Sequence, residues 1–125
     1  MNYFLIIIGG GIGAFLRYSS TQIINNLFTN KFILGTIVVN SIGSLLIGFL
    51  MNTFDIFSFD IKWKLLIITG FLGGYTTFSA YSYETINYFI NGNIKYAIMN
   101  IAFTNILCIL FVFCGVWLSK ILFIK

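Results

Sequence analysis

Gly70 to Ser82 reads G-F-L-G-G-Y-T-T-F-S-A-Y-S, inside an otherwise apolar run over about residues 63–89. The stretch carries three glycines, two threonines and two serines. Hydrocarbon offers no hydrogen-bond partner to a broken backbone, so such a stretch is tolerated at membrane depth only where protein buries it or it lines a polar cavity. It predicts a helix broken within the membrane. Gly70, Gly73 and Gly74 are expected to open it, because the chain contains no proline to do so. A break leaves carbonyls at the end of one half-helix and N–H groups at the start of the next. Carbonyls turned inward suit a hard monovalent cation.

The rest of the chain fits a membrane setting. Of 125 residues, 59% are hydrophobic and 8% charged, and the mean hydropathy is +1.00. A soluble domain carries about 25% charge, so this chain has too little polar surface to cover a soluble globule. Three more apolar runs, at about residues 3–24, 32–51 and 97–123, are each long enough to span a bilayer, which takes about 20 residues. The connections are short, and nothing marks a second domain. The expected fold is an all-α membrane protein: one domain over residues 1–125, four transmembrane helices, the third broken. The first run lacks a basic flank and is expected to be a span rather than a cleavable leader.

Composition also narrows the chemistry. There is no histidine, and the acids are Asp55, Asp60 and Glu84. No histidine-based triad or metal cluster can be assembled, so an enzyme is not expected. The net charge of +4 comes from single, scattered basic residues. Lone lysines at span ends anchor a protein to the interface, so the partner is a lipid bilayer and not a nucleic acid. Cys108 and Cys114 are six apart in one run, on different helical faces, and read as small apolar fillers rather than a bridge.

With four spans, Lys62, Lys64, Lys120 and Lys125 share one side. Lys31 and Lys95, with Arg17 if it lies near the span end, share the other. Four against three is a weak bias under the positive-inside rule. A chain so balanced can insert either way up, and two copies can pair about an axis in the membrane plane, as in inverted-repeat transporters.

Polar residues recur on every span. Gly9 to Ala14 reads G-G-G-I-G-A and mimics a dinucleotide fingerprint. No βαβ alternation follows, and no acid stands about 20 residues on. Gly9 and Gly13, four apart, read instead as a site of close helix contact. Arg17 is either an anchor or partner of backbone carbonyls, or a charge drawing anions into a vestibule. Thr36, Asn40 and Ser44 form one stripe on the second span. The Asn40 amide is either glue between helices or a donor to a passing anion. Past the break, Phe78, Tyr81, Ser82 and Thr85 fall on one face, where electropositive ring edges and hydroxyls can solvate a small anion. Glu84 is either a hydrogen-bonded acid or a proton-coupling group. Asn100, Thr104 and Cys108 make a weakly polar stripe on the last span.

In order along the chain, G-G-G-I-G-A-F-L-R-Y, G-T-I-V-V-N-S-I-G-S and G-F-L-G-G-Y-T-T-F-S-A-Y-S make the chain resemble the Fluc/CrcB family of fluoride channels over its whole length. The resemblance implies a fluoride-selective channel that passively exports fluoride across the cell (inner) membrane. It implies an antiparallel, dual-topology dimer with a structural sodium ion, formed with a second copy or with a homologous second subunit. The carbonyls of Gly73 and Thr76 would hold the sodium. Asn40 would donate to fluoride, and Phe78 would be the first of two pore phenylalanines, with Tyr81 in place of the second. Thr77, Ser79 and Ser82 match the polar part of the third-span motif, with Ala80 where a threonine is common. Thr104 and Cys108 would face the pathway from the fourth span, Cys108 standing where serine is frequent. Arg17 matches the basic residue near the vestibule, and Glu84 the acid after the motif. Tyr81 either adds a donor or obstructs its station.

Two other readings compete. A proton-coupled small multidrug exporter needs an acid deep in its first span, and here the one charge is Arg17. A non-transporting structural subunit has little need of polar stripes on three helices.

Overall fold

The computed structural model describes residues 2–28 and 34–124, which hold helices and no strand. Helix α1 is Asn2–Leu27 and α2 is Gly35–Ile56. The third segment begins as a helical run over residues 61–75, here α3. It comprises an α turn (Ile61–Trp63), a π-helical stretch (Lys64–Leu72) and a second α turn (Gly73–Tyr75). After two extended residues it resumes as α4, Phe78–Ile90. The last helix, α5, is Ile94–Phe123. Among the described residues, α1, α2 and α5 are each long and apolar enough to cross a membrane. The chain is a multi-pass membrane protein.

Glycines set the packing. Two parallel helix pairs form, α1 with α3 and α2 with α5. A Cβ on Gly9 would overlap the Leu66 carbonyl, one on Gly13 the Phe71 carbonyl, and one on Gly74 the Gly10 carbonyl. In the second pair, Gly48 meets the Val112 carbonyl and Gly115 the Leu45 carbonyl in the same way. Backbones this close gain dispersion contacts, which is what drives helix association where lipid tails are as apolar as the side chains. The π-helical stretch of α3 runs against α1 where the α1 glycines admit it.

The interior is small and partly polar. Leu72, Val39, Asn100, Thr36 and Ser119 are essentially inaccessible, whereas Ile7 and Phe113 are 68% and 70% exposed. Apolar side chains on the outside and hydrogen-bonded polar ones within suit a solvent of acyl chains. Ser119 meets Thr53 Oγ1 at 2.8 Å and accepts from Asn52 Nδ2 at 3.0 Å, tying the ends of α2 and α5 together.

The sequence-based boundaries need two corrections. The second span was expected to stop at residue 51, but α2 continues to Ile56 because Asn52 and Thr53 are used in the contact with Ser119. The third helix does break within Gly70–Ser82, but not at the glycines. Gly73 is helical, with φ −62° and ψ −35°. Gly70 and Gly74 spend their missing side chains on the approach of α1. The break falls at Thr76 and Thr77. The α2–α3 connection is closed by Asp60, whose Oδ1 accepts from the Lys62 N–H at 2.8 Å. An exposed Lys64–Asp55 pair at 2.6 Å adds to it, contributing less than about 1 kcal/mol. Lys31 and Lys125 lie outside the described residues.

Candidate functional site

Thr76 has φ −85° and ψ 158°, and Thr77 has φ −151° and ψ 124°. Two consecutive extended residues end the helical ladder: the Thr76 N–H still reaches the Leu72 carbonyl at 3.0 Å, but the Thr77 N–H and carbonyl need other partners. Asn40 supplies them. Its Nδ2 donates to the Thr77 carbonyl at 2.9 Å, and its Oδ1 accepts the Thr77 N–H at 2.8 Å. The side-chain amide thus pairs with Thr77 as a neighbouring strand would. Thr77 also caps α4, its Oγ1 accepting from the Ala80 N–H at 3.2 Å, the ordinary N-cap role of threonine. Asn40 is 7% exposed. An amide nitrogen carries two hydrogens, and Thr77 uses one, so a second N–H remains.

Carbonyls are released at the same point. In an uninterrupted helix the Gly73 carbonyl would accept from the Thr77 N–H, which turns to Asn40 instead. The Thr76 carbonyl would accept from the Ala80 N–H, which goes to Thr77 Oγ1. It takes instead a 3.3 Å bond from Arg17 Nη1, which leaves one of its two lone pairs.

Two cavities meet at this break. A groove of about 570 Å³ is lined by Asn40, Ser44, Phe78, Tyr81, Thr104 and Cys108, and by Gly73 and Thr76. A second cavity of about 450 Å³ is lined by Arg17, Gln22, Thr36, Ser79 and Glu84. Thr77 lies on the wall of both. In the groove the Phe78 and Tyr81 rings stand 5.3 Å apart at 53°. Phe78 is 75% exposed and Tyr81 8%, so the two do not present one uniform face. In the second cavity Glu84 Oε1 accepts from Thr36 Oγ1, while its buried Oε2 has no partner among the described residues. Arg17 and Glu84 share this cavity without forming an ion pair.

The residues expected at the site are therefore distributed over two places. Asn40, Phe78, Tyr81, Thr104, Cys108, Gly73 and Thr76 come together in the groove, and Arg17, Glu84 and Ser79 in the second cavity. Ser82 lines neither cavity's described wall and donates to the Phe78 carbonyl at 2.9 Å. Asn100 sits between helices, its Nδ2 donating to Thr85 Oγ1 at 2.9 Å. Cys108 and Cys114 are free thiols. Sequence reasoning missed Asn105, which lines the groove and bonds Tyr81. It lies one residue off the expected stripe, so helical spacing gave no signal for it.

The donor set is compatible with sodium. The Gly73 and Thr76 carbonyls are hard oxygen donors freed from the ladder, on residues that line the groove, the ligand type that replaces the hydration shell of an alkali cation. The Thr76 oxygen keeps one lone pair beside its bond from Arg17. Two carbonyls are too few to enclose an ion by themselves.

Comparison with known proteins gives a consistent result. Residues 4–116 match the family model described as "CrcB-like protein, Camphor Resistance (CrcB)". The chain is 42% identical over 121 residues to a protein of Campylobacter fetus named "Fluoride-specific ion channel FluC", covering 96% of this chain and 94% of that one. A protein of the same name from Hydrogenobaculum is 42% identical over 123 residues, covering 98% and 100%. Another from Clostridium perfringens is 43% identical over 117 residues, covering 93% and 91%.

Proposed function

The chain belongs to the CrcB-like (camphor resistance) family, and we propose that it is a fluoride-specific ion channel letting fluoride leave the cell passively across the inner membrane. The observation that carries this reading is the Asn40–Thr77 pair, which fixes an extended backbone between two cavities. Fluoride is small and strongly hydrated, so selectivity comes from replacing its water with fixed donors in a narrow file. The remaining Asn40 N–H supplies one donor. The positive edges of the Phe78 and Tyr81 rings supply more without a fixed charge. Thr104 and Cys108 border the same path from α5. On the other side of Thr77, Arg17 draws anions into the second cavity, and Ser79 and the acid Glu84 shape its polar wall.

One chain leaves the groove open and Phe78 mostly exposed. An inverted second copy, or a homologous subunit, covers it and completes the path. The weak charge bias of the connections permits both orientations. The carbonyls of Gly73 and Thr76, with their counterparts, would hold a structural sodium ion, whose charge steadies the carbonyl ends of the break.

Purified protein in liposomes tests the reading. Loaded fluoride is expected to leave within seconds to minutes when a potassium ionophore balances charge, with chloride retained, read by ion-selective electrodes. Proton-linked movement of an organic cation, or no flux at all, would contradict it.

A further inference from the structure

We propose that Asn105 is a positioning residue that anchors the Tyr81 phenol on α5, so that this chain conducts with a tyrosine at a pathway station. This rests on the fluoride-channel reading above. The Asn105 Nδ2 donates to Tyr81 Oη at 3.0 Å and to the Ile101 carbonyl at 2.7 Å. One bond stays within its own helix, while the other crosses to the ring. Both residues line the groove.

Tyr81 is tied to α5 at its other end as well. Its carbonyl accepts from Asn100 Nδ2 at 3.5 Å and from Thr85 Oγ1 at 2.8 Å. Backbone and hydroxyl are thus held by asparagines five positions apart on one helix.

The physical need is specific to the phenol. A hydroxyl beside the path of a small anion is a strong donor. Left loose, it rotates toward the ion, binds it and stalls the next one, and conduction requires binding weak enough to leave. By donating to the phenol oxygen, Asn105 fixes it at the groove wall, so the hydroxyl, whose own hydrogen stays free, cannot swing out after the ion, and the ring is held at 53° to Phe78. The bond also satisfies an asparagine that is exposed in the single chain, where a free amide would meet the membrane at a cost.

The test compares initial fluoride efflux from liposomes for the parent protein, Asn105→Leu, Tyr81→Phe and the double variant. Asn105→Leu is expected to slow efflux about tenfold, the scale of one lost anchoring hydrogen bond. The double variant is expected to recover to within about threefold of Tyr81→Phe, because a benzyl ring has no hydroxyl to hold. Asn105→Ser, too short to reach the phenol, is the second probe and gives the same pattern if the leucine variant does not fold. A loss that persists in the double variant, or no loss in either single Asn105 variant, overturns the proposal. Failure of the parent protein to move fluoride would instead overturn the channel reading.

Discussion

Replacing Asn40 with alanine is expected to reduce fluoride efflux by about a hundredfold or more and to destabilise the fold by about 2–5 kcal/mol. Both numbers follow from the same two bonds. The side chain donates to one backbone group of Thr77 and accepts from the other. Truncation leaves the half-buried Thr77 N–H and C=O without these partners, each costing about 1–2.5 kcal/mol, and neither can be returned to the helical ladder without rewinding the break. Asn40→Asp keeps an acceptor for the Thr77 N–H but sets a second oxygen against the Thr77 carbonyl and places a nearly buried negative charge beside the path. Thermal unfolding in detergent should therefore show a loss at least as large for aspartate as for alanine, with efflux abolished in both. An alanine variant that conducts at the parent rate would remove Asn40 from the pathway.

The second large effect concerns the glycines. Gly13→Ala is expected to lower stability by about 1–3 kcal/mol, because the added methyl would overlap the Phe71 carbonyl and lie 2.9 Å from the Tyr75 amide nitrogen. Both are backbone atoms, so relief requires α1 and α3 to move apart. Gly11→Ala lies two residues away and meets nothing within 4 Å. There the same methyl improves helix propensity by up to about 1 kcal/mol. Opposite signs at positions two apart, measured as unfolding midpoints in detergent, are the expected signature of a glycine seam. Equal effects at both positions would show that α1 does not press on α3 through its glycines.

These glycines also show where the sequence could and could not be read. The run of Gly70, Gly73 and Gly74 announced an unusual third helix, but glycine has two uses: it weakens a helix, and it lets another helix approach. The spacing of Gly9 and Gly13 matches that of Gly70 and Gly74, and this match was the available sign that close approach would win. The break went instead to Thr76 and Thr77, because the extended Thr77 backbone has Asn40 to pair with. That pairing depends on the rotation of α2 about its axis, which no local pattern encodes. The stripe of Thr36, Asn40 and Ser44 was legible because period four is a property of one helix. In the structure that face turns to Glu84, Thr77 and the groove. Ser79 and Ser82 looked equivalent in sequence, yet one lines the second cavity and the other bonds its own helix. Their separation follows from where α4 restarts. Asn105 was invisible for a related reason, since its partner is the far end of a side chain on another helix.

The most direct test is electrical. With purified protein in a planar bilayer and a fluoride gradient across it, the current is predicted to reverse at the fluoride equilibrium potential. That potential shifts by about 59 mV per tenfold change in fluoride, and added gradients of chloride or protons leave it in place. A reversal potential that ignores fluoride, or one that follows the pH gradient, would contradict a passive fluoride path through the break at Thr76 and Thr77.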